Sequence, residues 1–467
     1  MTEINQLYAG AAQVEITPPP GTRINGDFVT HFATRFHDPL FAKCLVLQNG
    51  HEILAWVIVD ICVMSQTFID PVKAKIRELT HIPVRNIMIA STHTHAAGSV
   101  EEVHLSALDM AYRTRLADLI PQAVIMAKAA LQPAEATWGS VDVPEHVLCR
   151  RYHMSDEYSP FNPVTGGDDK IKTNPFELEK WIQRPVAVPD PELYYLAVRS
   201  LEGEWISLVG NYSLHYVGDW ENGTISADYF GFFAKCAQEK LGTGDGFVAM
   251  MTNGTSGDVN IWDFEGRKNY PAGNFKKSKW IGEDLATRVV EDLLSGARWE
   301  RNLNLEVTYR VISQDVRKPD SDELGKARDI LEKSDYENFV YSESGLRMVY
   351  AREQILLHET PDVRDIPLQT FRIGNLVIGA LPGEFFAETG LKLKKEHLNI
   401  DYFTICLANG NVGYVPPAHE IEMGGYETWR CRYSCLQENA ESKITEELSA
   451  MVKSISGEIT ARNQDKK

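Results

Sequence analysis

The chain has 467 residues, enough for several ordinary domains or one large enzyme core. Hydrophobic residues make up 43% and charged residues 24%, the balance of a folded globular protein rather than a disordered one. With 47 basic and 65 acidic residues the net charge is −18, which argues against nucleic acid and anionic membrane surfaces as partners.

The segment Met1–Gln6 shows neither a basic nor an apolar leader pattern. No run reaches the roughly 18 apolar residues of a membrane helix. The expectation is a cytoplasmic protein with no stable membrane anchor. Three stretches then repeat one grammar of apolar strand, helix, apolar strand and polar loop. The first has a strand over 53–60, a helix over 68–79 and a strand from Asn86 that runs into Thr92-His93-Thr94-His95. A helix is predicted within 102–131, and the Pro-, Gly- and Asp-rich stretch 154–192 reads as a long loop. The second unit has a strand ending at His215, a helix over 227–241 and a strand over 246–251 leading to Asp258. Residues 320–358 read as one charged helix. The third unit has a strand over 376–381 before Glu384, a helix over 385–396 and a strand over 402–408 before Tyr414. A C-terminal helix over about 436–460 follows, with a frayed Lys466-Lys467 end.

These are βαβ units, so the predicted class is α/β, with mixed β-sheets flanked by helices. Asp60 and His93 in the first unit are spaced much like Glu384 and Tyr414 in the third, which hints at two related halves. In such sheets chemistry gathers at the carboxyl ends of strands. Seven cysteines are present, at 44, 62, 149, 236, 406, 431 and 435. An odd number within apolar segments reads as buried free thiols.

His93 and His95, at i and i+2, share one face of an extended segment and can ligate one metal or divide ligation and proton transfer. A pair of surface or hydrogen-bonding histidines is the alternative, and the position at the end of an apolar strand favours metal binding or catalysis over it. His215 alone reads as a core histidine, Glu384 as an acid at a helix start, and Tyr414 as a core aromatic. Two histidines, a carboxylate and a further oxygen donor also form a plausible zinc set. The adjacent Arg150 and Arg151 suit an anionic substrate group or surface carboxylates equally. Trp220, Trp262 and Trp429 lie near these motifs and suit either a pocket wall or the core.

The order of these motifs resembles the N-terminal catalytic domain of the neutral, non-lysosomal ceramidases. The likeness runs from Ala9–Pro18 through Phe36–Lys43, Thr-His-Thr-His, His215, Ser226–Asp228, Asn253–Asp258 and Pro382–Glu384 to Gly413-Tyr414. It implies a Zn2+ ion held by His93, His215, Glu384 and Tyr414, with His95 beside the open coordination position. It places Asp258 and Asp228 around the site and makes His37 a further pocket candidate. The family's serine after Gly-Asp-Val is replaced by Asn260, which can donate to an oxyanion but cannot be a nucleophile. No C-terminal β-sandwich domain of the kind that follows in ceramidases is expected. The expectation is one catalytic domain over 1–467, with its core about 8–430. It would be a zinc-dependent hydrolase using metal-activated water on a soluble polar small molecule. An amide is the expected bond, with ester or glycosidic bonds as alternatives. Catalysis would fall to His95, Asp258 and Asn260, and substrate binding to His37, Arg150, Arg151 and Asp228. The alternatives are a non-catalytic ligand-binding protein on the same fold and a structural zinc. The sequence leaves self-association into a homo-oligomer open.

Overall fold

The structure is a computed structural model that describes residues 6–464 except 51, 267–269 and 335–338, with side chains described to residue 457. It is built from one module used three times: three antiparallel strands, a helix, a fourth strand parallel to the third, then a second helix. The first module comprises strands Leu7–Glu15, Phe41–Asn49 and Glu52–Val59, helix Gln66–Thr80, strand Ile87–Ser91 and helix Met110–Ala129. The second comprises Gln132–Asp142, Glu192–Ser200 and Trp205–Tyr212, helix Asp228–Leu241, strand Val248–Asn253 and helix Lys276–Leu294. The third comprises Leu305–Asp315, Val363–Ile373 and Leu376–Ala380, helix Ala387–Glu396, strand Asp401–Ile405 and helix Ala440–Gln464. The suggested two halves are therefore three repeats.

The first two modules join into one eight-stranded sheet through a short seam, Tyr8↔Pro133 and Ala9↔Gln132. The third forms its own four-stranded sheet. The two sheets pack face to face, and helices cover both outer faces. Strand periodicity explains this layering. In Glu52–Val59, Leu54, Trp56 and Ile58 face the second sheet, where Trp56 meets Phe371 edge-on at 5.4 Å. The alternate Ala55, Val57 and Val59 pack under Ile69, Val72 and Ile76 of one helix and Leu116, Ile120 and Val124 of the next. Ile378 likewise faces the inter-sheet core, while Val377 packs with Leu448, Met451 and Val452 of the last helix.

All three βαβ units lie where the sequence puts them, and the α/β class with mixed sheets and flanking helices holds. The stretch 154–192 is not a plain loop. Ile171–Thr173 and Ile182–Pro185 pair with Arg151–Met154 in a small three-stranded sheet. Residues 320–358 hold two helices, Ser321–Glu332 and Glu343–Glu359. Asp320 starts the first with a capping box and Ser342 caps the second, so two separate N-terminal signals divide the stretch. The middle of that stretch, the first five residues and the Lys466-Lys467 end lie outside the described residues. All seven cysteines are buried and free. Among the described residues no helix is long and apolar enough to cross a membrane.

Candidate metal centre

The three modules point the ends of their parallel strand pairs at one place. His93 follows strand Ile87–Ser91, His215 follows Trp205–Tyr212, and Glu384 follows Leu376–Ala380. His93 takes a left-handed φ of 74°, uncommon for a residue with a side chain, and its amide is held by the Ile61 carbonyl at 3.0 Å. His215 Nδ1 meets the Ser256 carbonyl at 3.2 Å and His93 Nδ1 meets the Cys62 carbonyl at 2.9 Å. With the Nδ1 atoms turned to carbonyls, both Nε2 atoms are aimed at the same point, as for histidine ligands oriented by backbone acceptors. Burial opposes a charge on His93, but Glu384 and Cys62 outweigh it and draw the ring well above its ordinary pKa. The two Nε2 atoms lie 3.1 Å apart. Glu384 Oε2 lies 3.5 Å from one and 3.6 Å from the other. That oxygen is buried and has no hydrogen-bond partner. A buried carboxylate oxygen between two imidazoles is costly unless positive charge offsets it, supplied by a proton on His93 or by a cation held between the three groups. The three ligand atoms lie within 4.8 Å of one another, so the donor set fits a zinc ion.

Burial presses the His215 imidazole well below its ordinary pKa, and Arg150 and the neighbouring histidines press further in the same direction. Burial does the same to His95, and the positive charge on His93 adds to it. Both rings are therefore neutral. His95 Nε2 is 3.2 Å from His93 Nε2, and its ring stacks on Tyr216 with centroids 3.6 Å apart. Gly26 crosses this ring so closely that a Cβ there would fall 2.6 Å from His95 Cβ and Cγ.

Tyr414 pairs in register with Glu384 through the short parallel strands Glu384–Phe385 and Tyr414–Val415. Its hydroxyl accepts a hydrogen bond from Arg150 Nη2 at 3.1 Å. His93, His95, His215, Glu384, Tyr414 and Arg150 all line one cavity of about 560 Å³. Its outer walls carry Phe28, Phe161, Trp429 and Tyr426 among Asn25, Lys172 and Asn174.

The remaining sequence candidates do not line this cavity. Asp258 carries the frame around it. Its Oδ1 accepts from the Ala387 amide at 2.7 Å, at the start of the helix after Glu384, and its carbonyl accepts from the Arg150 amide at 3.0 Å. Burial raises its pKa to about 6. Asp228 fixes the chain just after His215 by accepting from the Val217 amide at 2.7 Å, and burial raises its pKa to about 8. Asn260 donates to Asn174 at 2.6 Å, so its amide is directed at a cavity wall residue. His37 stacks on Phe275 at 3.6 Å and bonds Asp38. Arg151 is fully buried against Glu420 and Glu427. Trp262 packs edge-on against Phe176 at 5.4 Å, and Trp220 stacks on Phe275 at 6.3 Å. Sequence reasoning did not find Cys62, Tyr216, Tyr426 or Glu427. For Glu427 the sequence offered only the adjacent Arg150 and Arg151, two charges that need acidic partners without saying which.

Two solved structures share this architecture. The crystal structure of neutral ceramidase from Pseudomonas aeruginosa matches with a TM-score of 0.72 at 16% identity, over 97% of this chain and 75% of that one. A ceramidase complexed with C2 matches with a TM-score of 0.69 at 16% identity, over 99% and 76%. No family profile matches the chain, and no curated protein does. The chain has an α/β fold shared with these ceramidase structures, as its motifs implied.

Proposed function

We propose that this protein is a zinc-dependent hydrolase of a soluble polar small molecule, with an amide as the bond cleaved. The observation that carries this reading is the unpartnered Glu384 Oε2 facing two buried, backbone-oriented imidazole Nε2 atoms at the floor of a cavity. His93, His215, Glu384 and Tyr414 would hold the ion. Zinc bound there would supply a Lewis acid that polarises a carbonyl and acidifies a water.

The chain's own residues divide the remaining work. His95 is neutral, fixed by Tyr216 and placed beside the ligand cluster, so its ring nitrogen can take and return a proton. Arg150 carries a permanent charge on the cavity wall and can donate to a substrate oxygen as charge develops there. Asp258, Asp228 and Asn260 act through position, by holding the Glu384 helix, the His215 loop and Asn174. The polar groups Asn25, Asp27, Lys172 and Asn174 between the aromatic rings favour a polar substrate over a long alkyl chain. The negative net charge agrees with a substrate taken from solution in the cytoplasm rather than from an anionic membrane.

Metal analysis of protein purified without added metal tests the reading, with about one zinc per chain expected. A panel of short N-acyl amides, esters and glycosides then identifies the bond. Protein that carries no transition metal, or that hydrolyses equally well after chelation, would refute the proposal.

A further inference from the structure

A buried carboxylate stands one step behind the ligand cluster. Glu427 lies in the short turn Tyr426–Thr428 and is fully buried. Its Oε1 accepts from Arg150 Nε at 2.7 Å. Its Oε2 accepts from Arg151 Nη1 and from the Thr173 hydroxyl, each at 2.7 Å. Arg151 has a second carboxylate, Glu420, at 2.8 Å. Arg150 has no second carboxylate partner among the described ion pairs; its Nη2 donates to the Gly257 carbonyl at 2.5 Å and to the Tyr414 hydroxyl at 3.1 Å. Arg150 thus stands between Glu427 on one side and the Tyr414 and Glu384 pair on the other.

We infer that Glu427 is a positioning residue of the metal centre. It holds the Arg150 guanidinium against the Tyr414 hydroxyl and cancels the positive charge that Arg150 brings beside a cation site. The inference rests on the zinc reading of His93, His215, Glu384 and Tyr414. The physics is that of outer ligand support: a partner behind a ligand fixes the direction of its lone pair. In addition, an uncompensated guanidinium repels a divalent ion more strongly in a buried site than in water. A merely structural role is the competing account, in which Glu427 only neutralises Arg151 and staples the small sheet through Thr173.

A double-mutant cycle read in zinc affinity separates the two. The dissociation constant of zinc is measured on the full-length protein by competition with a chromophoric chelator, with circular dichroism confirming the fold. E427Q is expected to weaken zinc binding about ten- to a hundredfold. In the R150Q background the same change is expected to alter affinity less than about twofold, because its effect runs through Arg150. If E427Q does not fold, E427D keeps the charge, withdraws the carboxylate and is expected to weaken zinc a few-fold, again only when Arg150 is present. Zinc affinity unchanged in the folded variant, or an equal fall in both backgrounds, overturns the inference alone. Wild-type protein that holds no zinc overturns the metal reading and this inference with it.

Discussion

Replacing Gly26 by alanine tests how the site separates metal holding from proton handling. Gly26 sits at φ +119°, a region that side-chain-bearing residues rarely occupy, at a strain of order 1–3 kcal/mol. Its new Cβ would fall 2.6 Å from His95 Cβ and Cγ and 2.7 Å from Nδ1, against an ordinary contact of about 3.4 Å or more. The ring must therefore retreat by nearly an ångström, and Tyr216 already stacks on it at 3.6 Å. A displacement of about 1 Å in a reacting group costs about a hundredfold, or about 2.7 kcal/mol of barrier. The three closest atoms to that Cβ all belong to His95, so zinc held by His93, His215 and Glu384 is expected to stay at about one per chain. The assay pairs zinc content with kcat/KM on p-nitrophenyl acetate. Gly203→Ala is the control: Gly203 has φ +91° and nothing within 4 Å of a Cβ, so it carries backbone strain with no neighbour to move. Full activity in Gly26→Ala would refute the placement of His95. Equal loss of zinc and activity would refute the division of roles.

Other outcomes follow from the same geometry. His93→Ala and Glu384→Gln are each expected to lose bound zinc and activity together, measured by metal analysis and turnover; retention of stoichiometric metal would count against the ligand set. Burial opposes a charge on His93, but Glu384 and Cys62 together draw its ring well above its ordinary pKa, so a proton there competes with the ion and zinc affinity of the wild type is expected to fall as pH drops, in a chelator competition run from pH 8 to pH 5. Lys73 is buried, donates to Asn409 at 2.6 Å and has its pKa lowered to about 7 by burial. Between pH 7 and about 10 the unfolded chain binds the extra proton, so stability should rise with pH across that window, by roughly 4 kcal/mol. Urea midpoints at pH 7 and pH 9.5 should show this rise in the wild type and not in Lys73→Met.

The parts of the fold legible in the sequence were the strands buried on both faces. Glu52–Val59, Trp205–Tyr212 and Leu376–Ala380 are continuous apolar runs because each is covered by a helix on one side and a sheet on the other. The antiparallel strands that complete each module were harder to see. Leu305–Asp315 is largely half-exposed, and Gln132–Asp142 opens on Pro133 with small and polar residues. The strands of three and four residues between 151 and 185 are too short to show a period. At the site, the Thr-His-Thr-His element was visible as a motif, but the meeting of His93, His215 and Glu384 depends on contacts over 122 or more positions. Arg150 and Arg151 read as solvent-facing or substrate-facing from sequence alone. Their burial is affordable only because Glu420 and Glu427, some 270 positions later, fold onto them.

The threefold repeat gives the metal centre a second meaning. The first module supplies His93, the second His215, and the third Glu384 and Tyr414. No module by itself holds enough ligands to keep an ion, and the strand ladder that joins the first two within the sheet is only the two-residue seam at Tyr8 and Ala9, backed by side-chain contacts such as Thr94 Oγ1 to the Ser226 carbonyl at 2.7 Å. An ion held by all three would therefore be a clasp across the shortest strand ladder of the sheet. Its binding energy is added to the folded state and absent from any partly opened one. Chelation should then do more than silence chemistry: it should also lower the stability of the core the three repeats share.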